Sequence, residues 1–148
     1  MARLLFGLLL FATVFAQSTF LPRLNPFQVT PDLVLVLLFL WAAHYSVREA
    51  LLWVFITGIV IDVIAIDPLG ANGLALVIVV VLSHPMRIRP WQFNLMSAML
   101  LVMLATVIHG VILYTLRGIP ISSVIAIQAV VHALLVPLIY MSLRLIGR

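Results

Sequence analysis

The chain has 148 residues, of which 66% are hydrophobic and 8% charged. A soluble domain carries roughly 25% charged residues, so a chain this poor in charge belongs in lipid rather than in water. With no cysteine and no lysine, disulfides, thiolate metal sites, cysteine nucleophiles and Schiff-base chemistry are excluded.

At roughly 20 residues per span, the length fits about six transmembrane helices in a single domain over residues 1–148. The expected class is therefore an all-α membrane protein. The first helix is expected over residues 4–20. Arg3, the apolar run Leu4 to Phe15 and the stretch Val14-Phe15-Ala16 also resemble a signal peptide, but a retained helix is expected because everything downstream is membrane-bound too. The stretch Leu21 to Pro26, with two prolines, breaks the helical pattern. The second helix is expected over 31–44, with Thr30 as N-cap, Pro31 in the first turn and Asp32 complementing the positive end of the dipole. A third over 48–66 leads into the turn Asp67-Pro68-Leu69-Gly70. The fourth, over 71–83, is expected to stop before Pro85. Arg87, Arg89 and Trp91 form a basic, aromatic interface segment, suited to membrane lipids or a cytoplasmic partner as well as to plain anchoring. The fifth helix is expected over 92–116 and the sixth over 121–146, joined at Gly118-Ile119-Pro120 and kinked at Pro137. Helices two and four are short for the roughly 30 Å hydrocarbon core. Either the bilayer thins there or the longer helices shield them.

All eight positive charges are arginines. Placed at helix ends, they read as topology determinants rather than as a nucleic-acid surface. With the N-terminus inside, Arg3, Arg48, Arg87, Arg89, Arg144 and Arg148 face the cytoplasm, and Arg23 and Arg117 face outside. Six against two obeys the positive-inside rule, so both termini are expected to be cytoplasmic.

The polar residues inside the spans are few. No two histidines lie three or four apart, so no helical zinc pair exists, and neither a catalytic triad nor a phosphate-cradling glycine loop can be assembled. The chain is read as non-enzymatic and free of cofactors. Asp62 lies about one turn from the end of the third helix, on the same face as Gly58. A buried acid in a membrane is a functional residue or a structural cap, and the two readings are compatible. Asp62 is expected to accept from the first amides of helix four, around Gly70, Ala71 and Asn72, which have no intrahelical partner. His109 and His132 suit a proton relay, a ligand site or interhelical hydrogen bonding. His109 and Gln128 sit at equal depth on either side of the turn and are expected close together. Ala12 and Ala16 form a small-xxx-small pair that lets a partner helix approach.

Four features in order resemble the bacterial rod shape-determining MreD family. They are Gln17-Ser18-Thr19, Pro31-Asp32-Leu33, Gly58-x-x-x-Asp62 and Pro68-Leu69-Gly70. The resemblance covers the first half of the chain, and beyond Trp91 it is only apolar helices. It implies a scaffold and regulator of lateral wall synthesis in the bacterial cytoplasmic membrane. The implied partners are MreC, the RodA glycosyltransferase with its transpeptidase, and the MreB filament. It also implies a fold similar to the substrate-binding subunits of energy-coupling-factor vitamin transporters, and so an alternative function as a vitamin-binding membrane subunit.

Overall fold

A computed structural model describes residues 2–20, 31–88 and 94–146. They form six helices: α1 Ala2–Thr19, α2 Leu33–His44, α3 Val47–Ala65, α4 Ala71–Ile88, α5 Leu95–Arg117 and α6 Val124–Ile146. No strand occurs among the described residues. Three helices, α4, α5 and most of α6 (Val124–Met141), are long and apolar enough to cross a membrane. The large apolar side chains on the surface, among them Leu4, Leu8, Phe55, Leu100 and Leu138, are what a lipid-facing surface requires.

The sequence of α2, almost purely aliphatic, has no polar face. Such a helix has to be buried on every side, and Val34 to Ala43 are all buried. α2 packs against each of the other five helices, which follow one another around it in the order α1, α3, α4, α5, α6. The shortness of α2 is thus accommodated by shielding. The ring does not close, because α6 and α1 make no close backbone approach among the described residues.

Several helix ends differ from expectation. α2 starts at Leu33, with Asp32 as its cap: Oδ1 accepts from the Leu35 amide at 3.1 Å. Pro31 precedes the helix instead of opening it. A carboxylate three residues before a free amide outcompetes the first-turn preference of proline. The proposed cap Thr30 lies outside the described residues, as do Arg23, Arg89, Trp91 and Arg148. α4 does not stop before Pro85 but runs through it to Ile88. Pro85 is on the exposed side while Ser83 and Met86 are buried, so packing of the last turn holds the helix despite a proline cost of about 3 kcal/mol. α4 is accordingly long and apolar enough for a span. α5 opens at Leu95, capped by the Asn94 side chain, and ends in left-handed Gly118. α6 begins at Val124, three residues late, because Ser122 Oγ accepts from the Val124 amide and so ends the turn there.

The two ends of the bundle are built differently. At one end, Phe6 of α1 stacks on Trp41 of α2 at 3.9 Å, Trp41 stacks on Tyr45 at 3.7 Å, and Trp53 of α3 meets Phe6 edge-on at 5.8 Å. Arg3 and Glu49 pair across α1 and α3 at 2.5 Å. The opposite end holds the buried polar groups.

Candidate functional site

The polar end contains two hydrogen-bonded networks. The first grows from Asp62. The chain leaves α3 through Ile66 in the left-handed conformation, φ 57°, with the amides of Ile66 and Asp67 both returning to the Asp62 carbonyl. This tight exit brings the start of α4 back over the Asp62 side chain. Its Oδ2 accepts from the Gly70 amide at 2.6 Å, and its Oδ1 accepts from the Asn72 amide at 3.0 Å and from Asn72 Nδ2 at 2.7 Å. Asp62 is 1% exposed. The contact expected from the sequence is therefore present, and Asn72 contributes its side chain as well. Asn72 Nδ2 also donates to Asp67 at 3.0 Å, and Asp67 pairs with Arg117 from the last turn of α5. The close approach depends on glycine: a Cβ on Gly58 would lie 2.4 Å from the Gly73 Cα, backbone against backbone.

The second network ties four helices together. The Thr106 hydroxyl donates to the Val102 carbonyl at 2.8 Å and lies 2.8 Å from His132 Nδ1. His132 Nε2 accepts from the Asp32 backbone amide at 2.6 Å. An amide N–H only donates, so Nε2 carries the lone pair, and neutral His132 carries its proton on Nδ1 and donates to Thr106. The Asp32 carboxylate accepts from Gln17 Nε2 at 3.1 Å as well as from Leu35. The chain of bonds thus runs from α5 through α6 and α2 to α1.

A cavity of about 250 Å³ lies between the two networks, with Gln17, Asp32, Asn72, His109, Gln128 and Arg117 in its wall. Its depth follows from α2. His132 sits eight residues inside α6, so the start of α2 that bonds to it lies roughly 12 Å below the start of α6. The short central helix leaves a dimple, and the polar side chains of its neighbours line it.

Of the residues singled out in the sequence, Asp62, Gly58, Gly70 and Asn72 meet at the α3–α4 hairpin, while Asp32, His109 and Gln128 gather at the dimple. Pro31 is half-buried at the mouth of α2. His109 and Gln128 share the cavity wall, a Thr106–His132 bond joins α5 to α6 one turn deeper, and His109 Nε2 has no partner among the described residues. Ala12 is exposed and Ala16 half-buried on α1, whose inward face is Phe6, Leu10 and Val14. Arg87 is half-buried in the last turn of α4. Thr106, Gly73 and Arg117 were not anticipated as site residues. The first had a signal, because Thr106 and His132 are equidistant from the α5–α6 turn, as are His109 and Gln128.

Nothing here assembles a metal centre: no group of three histidines, cysteines or acids stands close enough among the described residues. The arrangement can hold a fixed helical surface and a small polar cavity. No curated protein and no solved structure matches the chain. A family model described as rod shape-determining protein MreD matches residues 1–146, well beyond the half that the four sequence features covered, and this all-α membrane protein belongs to the MreD family.

Proposed function

We propose that the chain is a non-enzymatic scaffold and regulator of cell-wall elongation, acting in the bacterial cytoplasmic membrane with MreC and the RodA–transpeptidase synthase beside MreB. The observation that carries this reading is the family match over residues 1–146, since the family is one of shape-determining proteins. The geometry supports it in a specific way. Asp62, Asp32, Thr106 and His132 all bond from helix to helix or to helix ends. Groups engaged in this way fix a shape, and a fixed shape is what a partner protein reads.

All six helices cross the bilayer in this proposal, with both termini cytoplasmic and the polar dimple outside. The arginine distribution supports that orientation. Ala12, exposed on α1 beside Leu8 and Phe15, is available to a partner's transmembrane helix together with Ala16. The test is co-purification with MreC from membranes that express both, read by native mass spectrometry. A stoichiometric complex supports the scaffold, and the isolated chain alone removes it.

The presence of a polar dimple raises a second reading, a vitamin-binding subunit. Its volume of about 250 Å³ is at or below the small end of ligand pockets, which run from roughly 300 to 1,000 Å³. That size favours the scaffold. A vitamin found in the same mass spectrum would reverse the order.

A further inference from the structure

The two networks leave two buried polar atoms, on residues that line the dimple, without partners among the described residues. Gln17 turns its Nε2 towards the Asp32 carboxylate, so its Oε1 is an unmet acceptor. His109, 6% exposed, has an unpartnered Nε2. Both belong to residues of the cavity wall, and Asp32 stands there with them. A buried polar atom without a partner is costly, so such atoms mark a place where a ligand group belongs. Among the described residues, Asp32 is the one acid of the cavity wall and Arg117 its one arginine, while Asp62 is taken up by Gly70 and Asn72 and Asp67 pairs with Arg117. Away from Arg117, one carboxylate and two unmet acceptors favour a donor-rich, positively charged group.

Arg117 stands at the mouth rather than the floor. It closes the last turn of α5, eight residues and roughly 12 Å above His109, and its side chain is 32% exposed. With Asp67 on one side of its guanidinium, the remaining N–H donors are left for an anion outside. Among the described residues α6 and α1, the two helices that contribute Gln128 and Gln17 to the wall, make no close backbone approach. That side is where a group attached to the bilayer would enter.

We propose that the dimple binds an ethanolamine phosphate group. Its ammonium donates to Gln17 Oε1, His109 Nε2 and the Asp32 carboxylate, and its phosphate meets Arg117 at the mouth. An ammonium has three donors, which matches the three acceptors. His109 accepts here, so its ring carries its proton on Nδ1. The source of the group is a lipid head group or a free phosphoethanolamine.

The full chain is reconstituted into nanodiscs of equal phosphatidylethanolamine, phosphatidylcholine and phosphatidylglycerol, then re-extracted, and the retained lipid is identified by native mass spectrometry. One phosphatidylethanolamine per chain is expected, preferred about tenfold over phosphatidylcholine, which keeps the phosphate but has no N–H donor. His109→Leu is expected to abolish that preference without lowering the melting temperature, because it removes an orphaned atom and no existing bond. Displacement by free O-phosphoethanolamine assigns the head group alone as the ligand; selectivity without displacement assigns the lipid. Equal retention of the three lipids, or a preference that survives His109→Leu, overturns the proposal. The lipid preference of the unmodified chain decides the matter whether or not the variant folds, and its failure leaves the MreC test untouched.

Discussion

The two ends of this bundle are held together by different physics. At the aromatic end, Phe6, Trp41, Tyr45 and Trp53 meet ring on ring, and one ion pair, Arg3–Glu49, bridges α1 to α3. At the polar end, directional bonds from Asp62, Asp32, His132 and Thr106 fix where helices begin and how deep they sit. Stacked rings tolerate sliding, whereas a carboxylate that holds three N–H groups does not. In lipid the contrast sharpens, because apolar packing gains little from solvent exclusion there. The polar end is thus the part of the molecule whose shape is specified, and the aromatic end the part that is merely filled.

The comparison can be broken from either side. The largest effect is expected for Asp62→Leu, which strands the Gly70 and Asn72 amides and leaves Asn72 Nδ2 with Asp67 alone. It should cost about 3 kcal/mol in a reversible denaturation of the purified protein. Asp62→Asn keeps an acceptor and should cost about 1 kcal/mol. A leucine variant as stable as the parent would show that the hairpin does not depend on this carboxylate. Next comes Gly58→Ala. Its new Cβ would meet the Gly73 backbone at 2.4 Å and force α3 and α4 apart. A loss of about 2 kcal/mol is expected by the same measurement. A loss no greater than the helix-propensity gain of alanine would mean that the crossing relaxes freely.

At the aromatic end, Phe6→Leu keeps an apolar side chain and forfeits the stack, for about 1 kcal/mol. A cost above that of Asp62→Leu would invert the comparison. The smallest effect has the opposite sign. Ile66 is a β-branched residue with φ 57° and is 92% exposed, so it strains the backbone and packs against nothing within the fold. Ile66→Gly should raise stability by about 1 kcal/mol, and unchanged stability would show that the strain is already relieved elsewhere.

The polar end was also the more legible in the sequence. An acid one turn from a helix end, followed by Asp-Pro-Leu-Gly, forces the carboxylate towards the next helix's free amides, and local geometry alone places Asp62. Gly58 could be read as a close approach, but not that Gly73 would be the residue opposite it, because the crossing point of two helices is a tertiary fact. The same limit explains His132. Depth along the α5–α6 hairpin marks two matched pairs, His109–Gln128 and Thr106–His132, but it does not show that α2 arrives beside the deeper one, through the Asp32 amide. The run of α4 past Pro85 was hidden for a related reason: local propensity ends the helix, and packing of Ser83 and Met86 continues it. The aromatic end was not anticipated at all, since Phe6, Trp41 and Trp53 come from three helices with no periodic signal in common.

The central claim is that a partner reads the shape of the polar end. It is tested by co-expressing MreC with the parent chain, Asp62→Leu and Phe6→Leu, at a temperature where all three stay folded, and by measuring the MreC that remains bound after purification. Asp62→Leu is expected to lower MreC retention about tenfold, while Phe6→Leu stays within about twofold of the parent. Equal retention by the two variants, or a greater loss with Phe6→Leu, would contradict the account.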